Sequence, residues 1–353
     1  MEPGALFSGP GREPALRRYH ELLGAEWLPE RNPCPQPVSL ERKNVSALLS
    51  GSYVVADKSD GVRYTLFIAQ VEGKAHSLLI DRKLATYHVP VAAARGVYEG
   101  SVFDGELVWT TGPDGSRAQT FLVFDVAAFR GSSAIASRDL LARLEVLRGA
   151  FDLGDRTVTS PDDAARLARA GKIVCGGNRH GLSFRAKPCF RLADLDVLLR
   201  LMPSLPYPVD GLVFTPIDRP VGRGTDDALF KLKLKHTVDL ELCLATGALL
   251  VGLGGGASTA AQRMPFEALG LPVALAPEFP AALQTLRDAE PDSGVFIVEC
   301  TLRDPTAPRL SSPRRRRDKS HPNTARTVTA TFTNLRENLQ PEELVQRAAP
   351  RDV

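Results

Sequence analysis

The sequence predicts an α+β protein in which antiparallel sheets with flanking helices are followed by a small β-barrel. Two patterns carry this prediction: alternating apolar runs bounded by turn residues between positions 53 and 126, and, after Thr237, short apolar pieces separated by glycine-rich and proline-rich connections. The chain has 353 residues, of which 43% are hydrophobic and 24% charged. That length is enough for about two domains with cores of their own, at roughly 100–200 residues each.

The first part of the chain reads as strands interrupted by helices. Residues 1–37 form a lead-in rich in proline, glycine and charge, with a helix predicted around 14–23. Strands are predicted at 61–68, 76–82, 101–109, 120–126, 211–215 and 229–234. Ser137 is the predicted N-cap of a helix over 138–148, and Pro203 ends a second helix over 192–202.

The change of pattern near Thr237 predicts a domain boundary. Beyond it, strands are expected at 238–245, 248–253 and 295–302, and the chain ends in a predicted helix over 341–348. The expected domains are therefore residues 1–238 and 239–333, followed by a C-terminal segment, 334–353, that packs back on the first domain.

Composition excludes several classes of protein. The five cysteines contain no Cys-x-x-Cys pair and are odd in number, which argues for a reducing compartment and against structural zinc or a disulfide framework. No apolar run approaches the ~20 residues that span a bilayer, and the N-terminus does not read as a secretory leader. A soluble intracellular protein is expected.

Positive charge is concentrated in one block although the net charge is only +3. Between Arg309 and Arg326, seven basic residues accompany a single acidic one, Asp318. Such a block suits a polyanion such as nucleotide phosphates or RNA. A solvated tail and a nuclear-import signal are the alternatives for an arginine run considered alone.

The hexapeptide from Lys58 to Arg63, Lys-Ser-Asp-Gly-Val-Arg, follows the apolar run 53–56 and places an amine and a guanidinium around a glycine turn. A lysine amine attacks an α-phosphate only in its neutral form, which neighbouring positive charge favours. Gly61 would let the backbone approach a phosphate closely. An ordinary charged hairpin is the alternative.

Carboxylates and further lysines supply the other parts of a phosphate-transfer site. Glu106 and Asp210 each adjoin a glycine at an apolar strand, and together they could hold a hard divalent ion such as Mg²⁺ or Mn²⁺. Lys231 and Lys233 alternate along a strand and so point to one face. That face is either a clamp on an α-phosphate or simply the solvent side of the strand.

Taken in their order along the chain, these motifs resemble those of the covalent nucleotidyltransferase superfamily, which comprises mRNA capping guanylyltransferases and ATP-dependent polynucleotide ligases. Three stretches are similar to the capping enzymes in particular: Gln-Pro-Val-Ser at 36–39, His-Thr-Val-Asp-Leu at 236–240, and Arg-Arg-Asp-Lys-Ser-His-Pro-Asn at 316–323. The resemblance spans roughly residues 35–345. It implies a nucleotidyltransferase domain of antiparallel sheets with flanking helices, followed by an OB-fold domain.

The resemblance also implies a role for each matching residue. Lys58 becomes linked to GMP, Arg63 contacts the nucleotide and Arg82 holds the ribose. The resemblance implies that Glu106 and Asp210 bind the ribose and the metal, that Phe124 and Val213 stack on the two faces of guanine, and that Lys187 contacts guanine O6. It also implies that Lys231 and Lys233 bind the α-phosphate, and that Arg316, Asp318 and Lys319 of the second domain bind the β- and γ-phosphates. Leu232 stands where the family often has tryptophan, and Lys235 is an alternative for the second clamp lysine.

The activity implied is mRNA guanylyltransferase, with GTP as substrate, Mg²⁺ or Mn²⁺ as cofactor and a covalent lysyl-N-GMP intermediate that passes GMP to 5′-diphosphate RNA. An ATP-dependent DNA or RNA ligase and an inactive RNA-binding relative are the alternatives. Neither a Cys-x5-Arg loop before residue 35 nor room for a methyltransferase after residue 330 is present. Separate RNA triphosphatase and cap methyltransferase chains are therefore expected, with RNA polymerase as a further candidate partner, in a nucleus or a cytoplasmic viral factory.

Overall fold

Strands form most of the framework in the computed structural model, which describes residues 4–28, 32–151, 161–175, 182–254, 262–289, 294–317 and 319–348. The chain divides into two units. Unit 1 comprises Met1–Val38, Ser46–Leu232 and Arg347–Val353, and unit 2 comprises Ser39–Val45 and Lys233–Gln346. No helix among the described residues combines the length and the hydropathy needed to cross a membrane.

The strands of the described residues are numbered in chain order. They are β1 (Ala5–Leu6), β2 (Gln36–Ser39), β3 (Tyr53–Ser59), β4 (Val62–Val71), β5 (Lys74–Ile80), β6 (Thr86–His88), β7 (Val91–Ala92), β8 (Ser101–Thr111), β9 (Arg117–Ala128), β10 (Val174–Cys175), β11 (Ser183–Ala186), β12 (Phe190–Arg191), β13 (Val209–Pro216), β14 (Thr225–Lys233), β15 (His236–Cys243), β16 (Leu249–Gly252), β17 (Arg263–Pro265), β18 (Ala274–Leu275), β19 (Val295–Arg303) and β20 (Arg309–Arg315).

The α-helices are numbered in the same way. They are α1 (Arg12–Leu22), α2 (Val45–Ser50), α3 (Leu140–Ala150), α4 (Pro161–Arg169), α5 (Leu195–Leu201), α6 (Phe279–Ala289), α7 (Ala325–Glu337) and α8 (Pro341–Ala348). Short 3₁₀ turns lie at Arg42–Asn44, Arg95–Glu99, Ala134–Ser137, Leu192–Asp194, Met202–Ser204 and Phe266–Leu269.

Unit 1 is built on two larger sheets and a two-stranded one. The seven-stranded sheet has the order β1-β6-β5-β4-β8-β9-β11, the five-stranded sheet has the order β12-β3-β13-β14-β2, and β10 pairs with β7. The hairpin between β4 and β5 turns at Glu72 and Gly73, whose φ angles of 52° and 74° are those that a tight two-residue turn requires. The main core joins apolar side chains of β4, β8 and β9 to α3 and to Val54 of β3.

Helix α3 begins two residues later than the sequence predicts. Asp139 is its N-cap, and the Asp139 side chain accepts a hydrogen bond of 2.8 Å from the amide of Ala142. The predicted cap, Ser137, ends a 3₁₀ turn instead. Aspartate and serine are comparably good caps, so position relative to the apolar stripe decides between them.

Unit 2 contains a six-stranded sheet with the order β17-β16-β15-β19-β20-β18. Helices α6 and α7 pack on this sheet, and its core includes Val238, Leu240 and Val298. The sequence does not predict β17, β18, α6, β20 or α7; of these, β20 is the first part of the basic block, and α7 is the threonine-rich stretch after Thr324. The fold is thus mixed α+β throughout, and the described pairings leave β17 and β18 at the two ends of the sheet.

A short N-terminal segment, residues 39–45, belongs to unit 2. Arg42 donates from Nη1 and Nη2 to both carboxylate oxygens of Glu343, at 2.9 and 3.0 Å, and from Nε to the carbonyl oxygen of Glu337 at 2.7 Å. Helix α8 belongs to unit 2 as far as Gln346.

Candidate active site

Lys58 lies near the end of β3, where an irregularity in the neighbouring strand brings a carboxylate to it. The antiparallel register of β3 and β13 passes from Lys58 opposite Gly211 to Ser59 opposite Val209. Asp210 is therefore the extra residue of a β-bulge, a device that re-aims a side chain. Its Oδ1 atom lies 2.8 Å from Lys58 Nζ, and the two side chains are 22% and 26% exposed. The amine is held by an ion pair and remains accessible.

The turn after Lys58 needs glycine because another strand passes close to it. A Cβ atom at Gly61 would lie 2.3 Å from the carbonyl oxygen of Leu107 and 3.0 Å from Cγ of Glu106. Atoms of β8 therefore occupy the space that a Cβ atom at this position would need. This close approach places Glu106 beside the turn that carries Lys58.

Two opposing effects act on the pKa of the Glu106 carboxyl group. Burial raises its pKa from 4.5 to about 7, and the positive charges of Lys187, Lys58 and Arg63 act in the opposite direction. A group with this pKa is partly protonated near neutral pH. It can therefore donate a hydrogen bond to a hydroxyl or, once ionised, contribute to binding a cation.

Arg63 is fixed by a two-pronged contact with Asp104. Arg63 Nε donates to Asp104 Oδ1 at 2.9 Å, Nη2 donates to Asp104 Oδ2, and Nη1 donates to the carbonyl oxygen of Pro35 at 2.6 Å. Burial acts to lower the pKa of Arg63, but the Asp104 carboxylate outweighs burial and the pKa lies above its ordinary value. Arg63 Cζ is 5.6 Å from the ring centroid of Phe124. A fixed cation thus lies against an aromatic face.

Arg82 lies near the same group of charges. Burial and the neighbouring charge of Arg63 lower the pKa of Arg82, whereas Glu106 acts to raise it. A small cavity opens beside the two arginines. Its lining consists of Asn32, Cys34, Gln36, Arg63, Tyr64, Thr65, Ile80, Asp81 and Arg82.

Phe124 projects from a second bulge. The register of β8 and β9 passes from Asp104 opposite Asp125 to Gly105 opposite Val123, which leaves Phe124 as the extra residue of β9. Its side chain is half-buried. Both the candidate base-stacking ring and the carboxylate that pairs with Lys58 are therefore aimed by irregularities in the sheet ladders.

Val213 lies on the face of the five-stranded sheet that carries Lys58. Val213 is opposite Ala56 in the register of β13 and β3, and Gly211 is opposite Lys58. Paired residues share a face, and so do residues two apart along a strand. The half-buried Val213 side chain therefore follows the Lys58 position along one sheet surface.

Lys231 lies on that same face of β14. Phe230 and Leu232 on either side of it are buried. The ring of Phe230 packs 6.0 Å from that of Tyr53, whose side chain is on the face of β3 opposite to Lys58. Alternation along β14 then directs Lys231 to the Lys58 face.

Lys233 is the last residue of β14 and continues the alternation. The alternative second lysine, Lys235, lies in the bend between β14 and β15 and is exposed. The strand geometry therefore favours Lys233 over Lys235 as the partner of Lys231.

Lys187 is part of a buried polar network. Lys187 Nζ lies 3.1 Å from Asp57 Oδ2 and donates to Ser59 Oγ, and Tyr207 Oη donates to Asp57 Oδ1 at 3.2 Å. Burial lowers the pKa of Lys187, and the Asp57 carboxylate acts against this. These contacts use two of the three N–H groups of the ammonium, so at most one is left for a base.

In unit 2, Arg316 is held between two carboxylates. Its Nη1 atom lies 2.8 Å from Glu299 Oε1 and 3.3 Å from Asp239 Oδ1. Arg314 also pairs with Glu299, at 2.7 Å. Lys319 is exposed, and Asp318 lies outside the described residues.

Asn323 connects two separated motifs of the sequence by hydrogen bonds. Its Oδ1 atom accepts from the amide of Asp239 at 2.9 Å, and its own amide donates to the carbonyl oxygen of Asp239 at 2.7 Å. The stretch 316–323 is thereby joined to the stretch 236–240 on β15. Asn323 therefore has a structural role in unit 2.

The donor set of the predicted metal site consists of hard oxygens. Within the described ranges, no group of three or more His, Cys, Asp or Glu residues could hold a metal ion. Mg²⁺ commonly takes only one or two carboxylates and completes its coordination with water and phosphate oxygens. Glu106 and Asp210 fit that requirement as a partial donor set.

The structure places Val213 and Lys231 on the sheet face that carries Lys58, and it brings together the other unit 1 candidates, namely Lys58, Arg63, Arg82, Glu106, Phe124, Lys187 and Asp210. It also adds residues to which the sequence assigns no role. Asp104 fixes Arg63, and Asp57 with Tyr207 encloses Lys187. Asp104 had a signal, because it lies two residues from Glu106 and so on the same face of a strand. Tyr207 had none, since its contact with Asp57 spans 150 positions of sequence.

Comparison with known proteins identifies related sequences. The family model described as mRNA capping enzyme, catalytic domain, matches residues 13–235. The mRNA-capping enzyme subunit alpha of Schizosaccharomyces pombe is 31% identical over 260 residues, which cover 69% of this chain and 60% of the relative. The subunit alpha of Neurospora crassa is 28% identical over 90% of this chain and 84% of the relative. The mRNA-capping enzyme of Danio rerio is 25% identical, and the chain spans half of its length.

Among solved structures, the chain is similar to a mycobacterial DNA ligase D complexed with ATP and MES, with a TM-score of 0.39 and 14% identity over 82% of this chain and 96% of the ligase chain. It is also similar to the ATP-dependent DNA ligase from bacteriophage T7 in complex with ATP, with a TM-score of 0.38 and 13% identity over 80% of this chain and 98% of that chain.

Proposed function

The chain belongs to the mRNA capping enzyme family, a family of nucleotidyltransferases, and on that premise we propose that it is an mRNA guanylyltransferase whose nucleophile is Lys58. It takes GMP from GTP and passes it to the 5′-diphosphate end of RNA. The observation that carries the proposal is the accessible Lys58 amine, 2.8 Å from the bulged Asp210, with Glu106 beside its turn.

The first step is an in-line displacement at the α-phosphorus of GTP. Lys58 Nζ gives a proton to water and forms a P–N bond to the α-phosphorus, while the bond between the α-phosphorus and the bridging oxygen breaks to release pyrophosphate. Asp210 orients the amine beforehand. Lys231 and Lys233 supply fixed positive charge to the α-phosphate oxygens as charge develops on them.

The second step reverses the roles of nucleophile and leaving group. A terminal oxygen of the RNA 5′-diphosphate attacks the same phosphorus, the P–N bond breaks, and the released Lys58 amine takes up a proton from water. The base is stacked on Phe124 and covered by Val213, while Arg63 and Arg82 bind the nucleotide. Glu106 contacts the ribose, and Lys187 offers its remaining N–H to guanine O6.

Glu106 and Asp210 would hold a divalent ion together with phosphate oxygens of the nucleotide. When bound, Mg²⁺ or Mn²⁺ neutralises phosphate charge and so lowers the barrier to attack by an amine. The two carboxylates are the groups of this chain that would hold it.

Unit 2 is proposed to be an OB-fold domain that supplies Arg316, Asp318 and Lys319 to the β- and γ-phosphates. Support for the arginine comes from the Asp239 and Glu299 carboxylates, which fix the direction of its guanidinium. In the same proposal, domains extend over 1–238 and 239–333, and separate triphosphatase and methyltransferase chains complete the cap.

The test is transfer of radiolabel from α-labelled GTP to the protein in the presence of Mg²⁺ or Mn²⁺. A labelled band is expected with GTP but not with ATP, and added pyrophosphate should remove it. Lys58→Ala should abolish the band, whereas Lys74→Ala, an exposed lysine on β5, should leave it unchanged. Labelling by ATP would instead favour a ligase, and a folded protein that binds RNA but takes no label would indicate an inactive relative.

A further inference from the structure

Arg143 of α3 is among the largest fully buried side chains in the described part of the chain, at 2% exposed. Charged side chains are rarely buried unless every donor is paired. Arg143 Nε and Nη2 donate to the two carboxylate oxygens of Asp125, at 2.7 and 3.2 Å. Nη1 donates to the carbonyl oxygens of Arg138 and Arg219, at 2.6 and 2.8 Å. The guanidinium thus joins three segments of unit 1.

Two of those segments lead to the walls of the proposed base-binding slot. Asp125 directly follows Phe124 at the bulge of β9, and Asp125 Oδ1 also accepts from the amide of Val126 at 2.8 Å. Arg219 lies three residues beyond the end of β13, the strand that carries Val213. One side chain therefore contacts both the bulge that aims the ring and the chain that follows the opposite wall.

Further contacts support this arrangement. The amide of Leu140 donates to the carbonyl oxygen of Ile217 at 2.7 Å, and the amide of Val221 donates to that of Ala136 at 2.8 Å. The N-terminal end of α3 is thereby bound to the segment that follows β13. Burial raises the pKa of Asp125, and the Arg143 charge acts against this.

We propose that Arg143 is a positioning residue that sets the direction of the Phe124 ring and the gap between Phe124 and Val213, and so the affinity for the guanine base. The inference rests on the proposed function, because it takes Phe124 as the stacking surface. Arg143 reaches the base only through Asp125 and the β9 bulge. A stacked base needs its two walls at a fixed separation, and a bulge held by a buried ion pair keeps that separation constant.

The experiment is a double-mutant cycle measured by formation of the labelled GMP adduct over a series of GTP concentrations. Arg143→Met should raise the GTP concentration for half-maximal labelling at least tenfold while lowering the maximal rate much less. In a Phe124→Leu background, the same substitution should change that concentration less than twofold, because no ring remains to be positioned. Arg148→Met, an exposed arginine on the same helix, is the matched control and should change neither value.

Thermal unfolding of every variant separates positioning from stability. Arg143→Met is expected to lower the unfolding temperature equally in both backgrounds. Equal effects on GTP half-saturation in both backgrounds would overturn the inference, since Arg143 would then act on stability alone. Should Arg143→Met not fold, Arg143→Lys keeps the charge without the fork, and the same non-additivity with Phe124→Leu is expected of it. A wild-type protein that takes no label overturns the proposed function, whereas a labelled wild type with additive effects overturns only this inference.

Discussion

Asn in place of Asp104 should cost unit 1 much of its stability, because it leaves the Arg63 guanidinium buried without its counter-charge. The pair is 15% and 8% exposed, and two of the three hydrogen bonds of the guanidinium end on the carboxylate. Removing one partner of a buried pair costs about 3–5 kcal/mol. Asparagine retains one acceptor oxygen, so about 3 kcal/mol is expected.

The same pair of residue types occurs on the surface and provides the control. Asp196 and Arg200 are at positions i and i+4 of α5, and Arg200 Nη1 lies 2.6 Å from Asp196 Oδ2. Their side chains are 41% and 68% exposed. Asp196→Asn should therefore cost less than about 0.5 kcal/mol. The two pairs contain the same residue types but differ in burial and in geometry, because Arg63 binds both carboxylate oxygens of Asp104 and Arg200 binds one oxygen of Asp196.

Urea unfolding followed by tryptophan fluorescence measures this cost in unit 1 alone. The chain has two tryptophans, Trp27 and Trp109, and both belong to unit 1. Adding Arg63→Met to Asp104→Asn should restore at least about 2 kcal/mol, because the uncompensated charge is then gone. A cost for Asp104→Asn no larger than that of the surface substitution would refute the reasoning, and so would strict additivity in the double variant.

Three further substitutions test other parts of the structure. Gly61→Ala should lower the free energy of unfolding by about 1–3 kcal/mol, because the new Cβ would meet a backbone carbonyl oxygen at 2.3 Å. Gly149→Ala on α3 has open space around the new Cβ and should be neutral or stabilising by up to ~1 kcal/mol. Equal changes in the two free energies, measured by urea unfolding, would contradict this prediction. The Glu106 carboxyl has a pKa of about 7 in the folded protein and an ordinary value of 4.5 when unfolded, so the folded state holds a proton that the unfolded state loses between these pH values. The unfolding free energy of the wild type should therefore fall relative to that of Glu106→Gln by about 3 kcal/mol as pH rises from 4.5 to 8. Parallel curves of stability against pH would show that the pKa of this carboxyl is not raised. Asn323→Ala should speed hydrogen exchange at the backbone amide of Asp239 in β15, which donates to Asn323 Oδ1, and Asn323→Asp should not. Unchanged exchange at that amide in both variants would exclude the hydrogen bond.

Local signals were sufficient to predict β4, β5, β8, β9, β13 to β16 and β19, and to single out the candidate nucleophile. The run 53–56 before Lys58, and the glycine after it, define a strand end and a turn whatever the rest of the chain does. Alternation placed Lys231 and Lys233 on one face, and the buried Phe230 and Leu232 agree with it. These features depend on neighbours in sequence, which is why the sequence reveals them.

The partners of the charged residues could not be predicted in the same way. Asp210 meets Lys58 because of a bulge, and a bulge adds one residue to one strand without a distinct sequence pattern. The packing of Gly61 against the β8 backbone has no sequence signal, because Leu107 is distant from it in the chain. Helix α7 was missed because its threonines have low helix propensity, so packing on the unit 2 sheet decides its conformation.

The contact between Arg42 and Glu343 joins residues 301 positions apart, and this separation bears on how the protein is made. At about 5–20 residues per second of synthesis, the segment 39–45 leaves the ribosome roughly 15–60 s before its partner helix exists. Unit 2 cannot close on that segment until α8 has been synthesised. Residues 39–45 therefore spend that interval as an exposed peptide between two stretches of unit 1, which makes the nascent chain, rather than the finished enzyme, the form most open to proteolysis at this point.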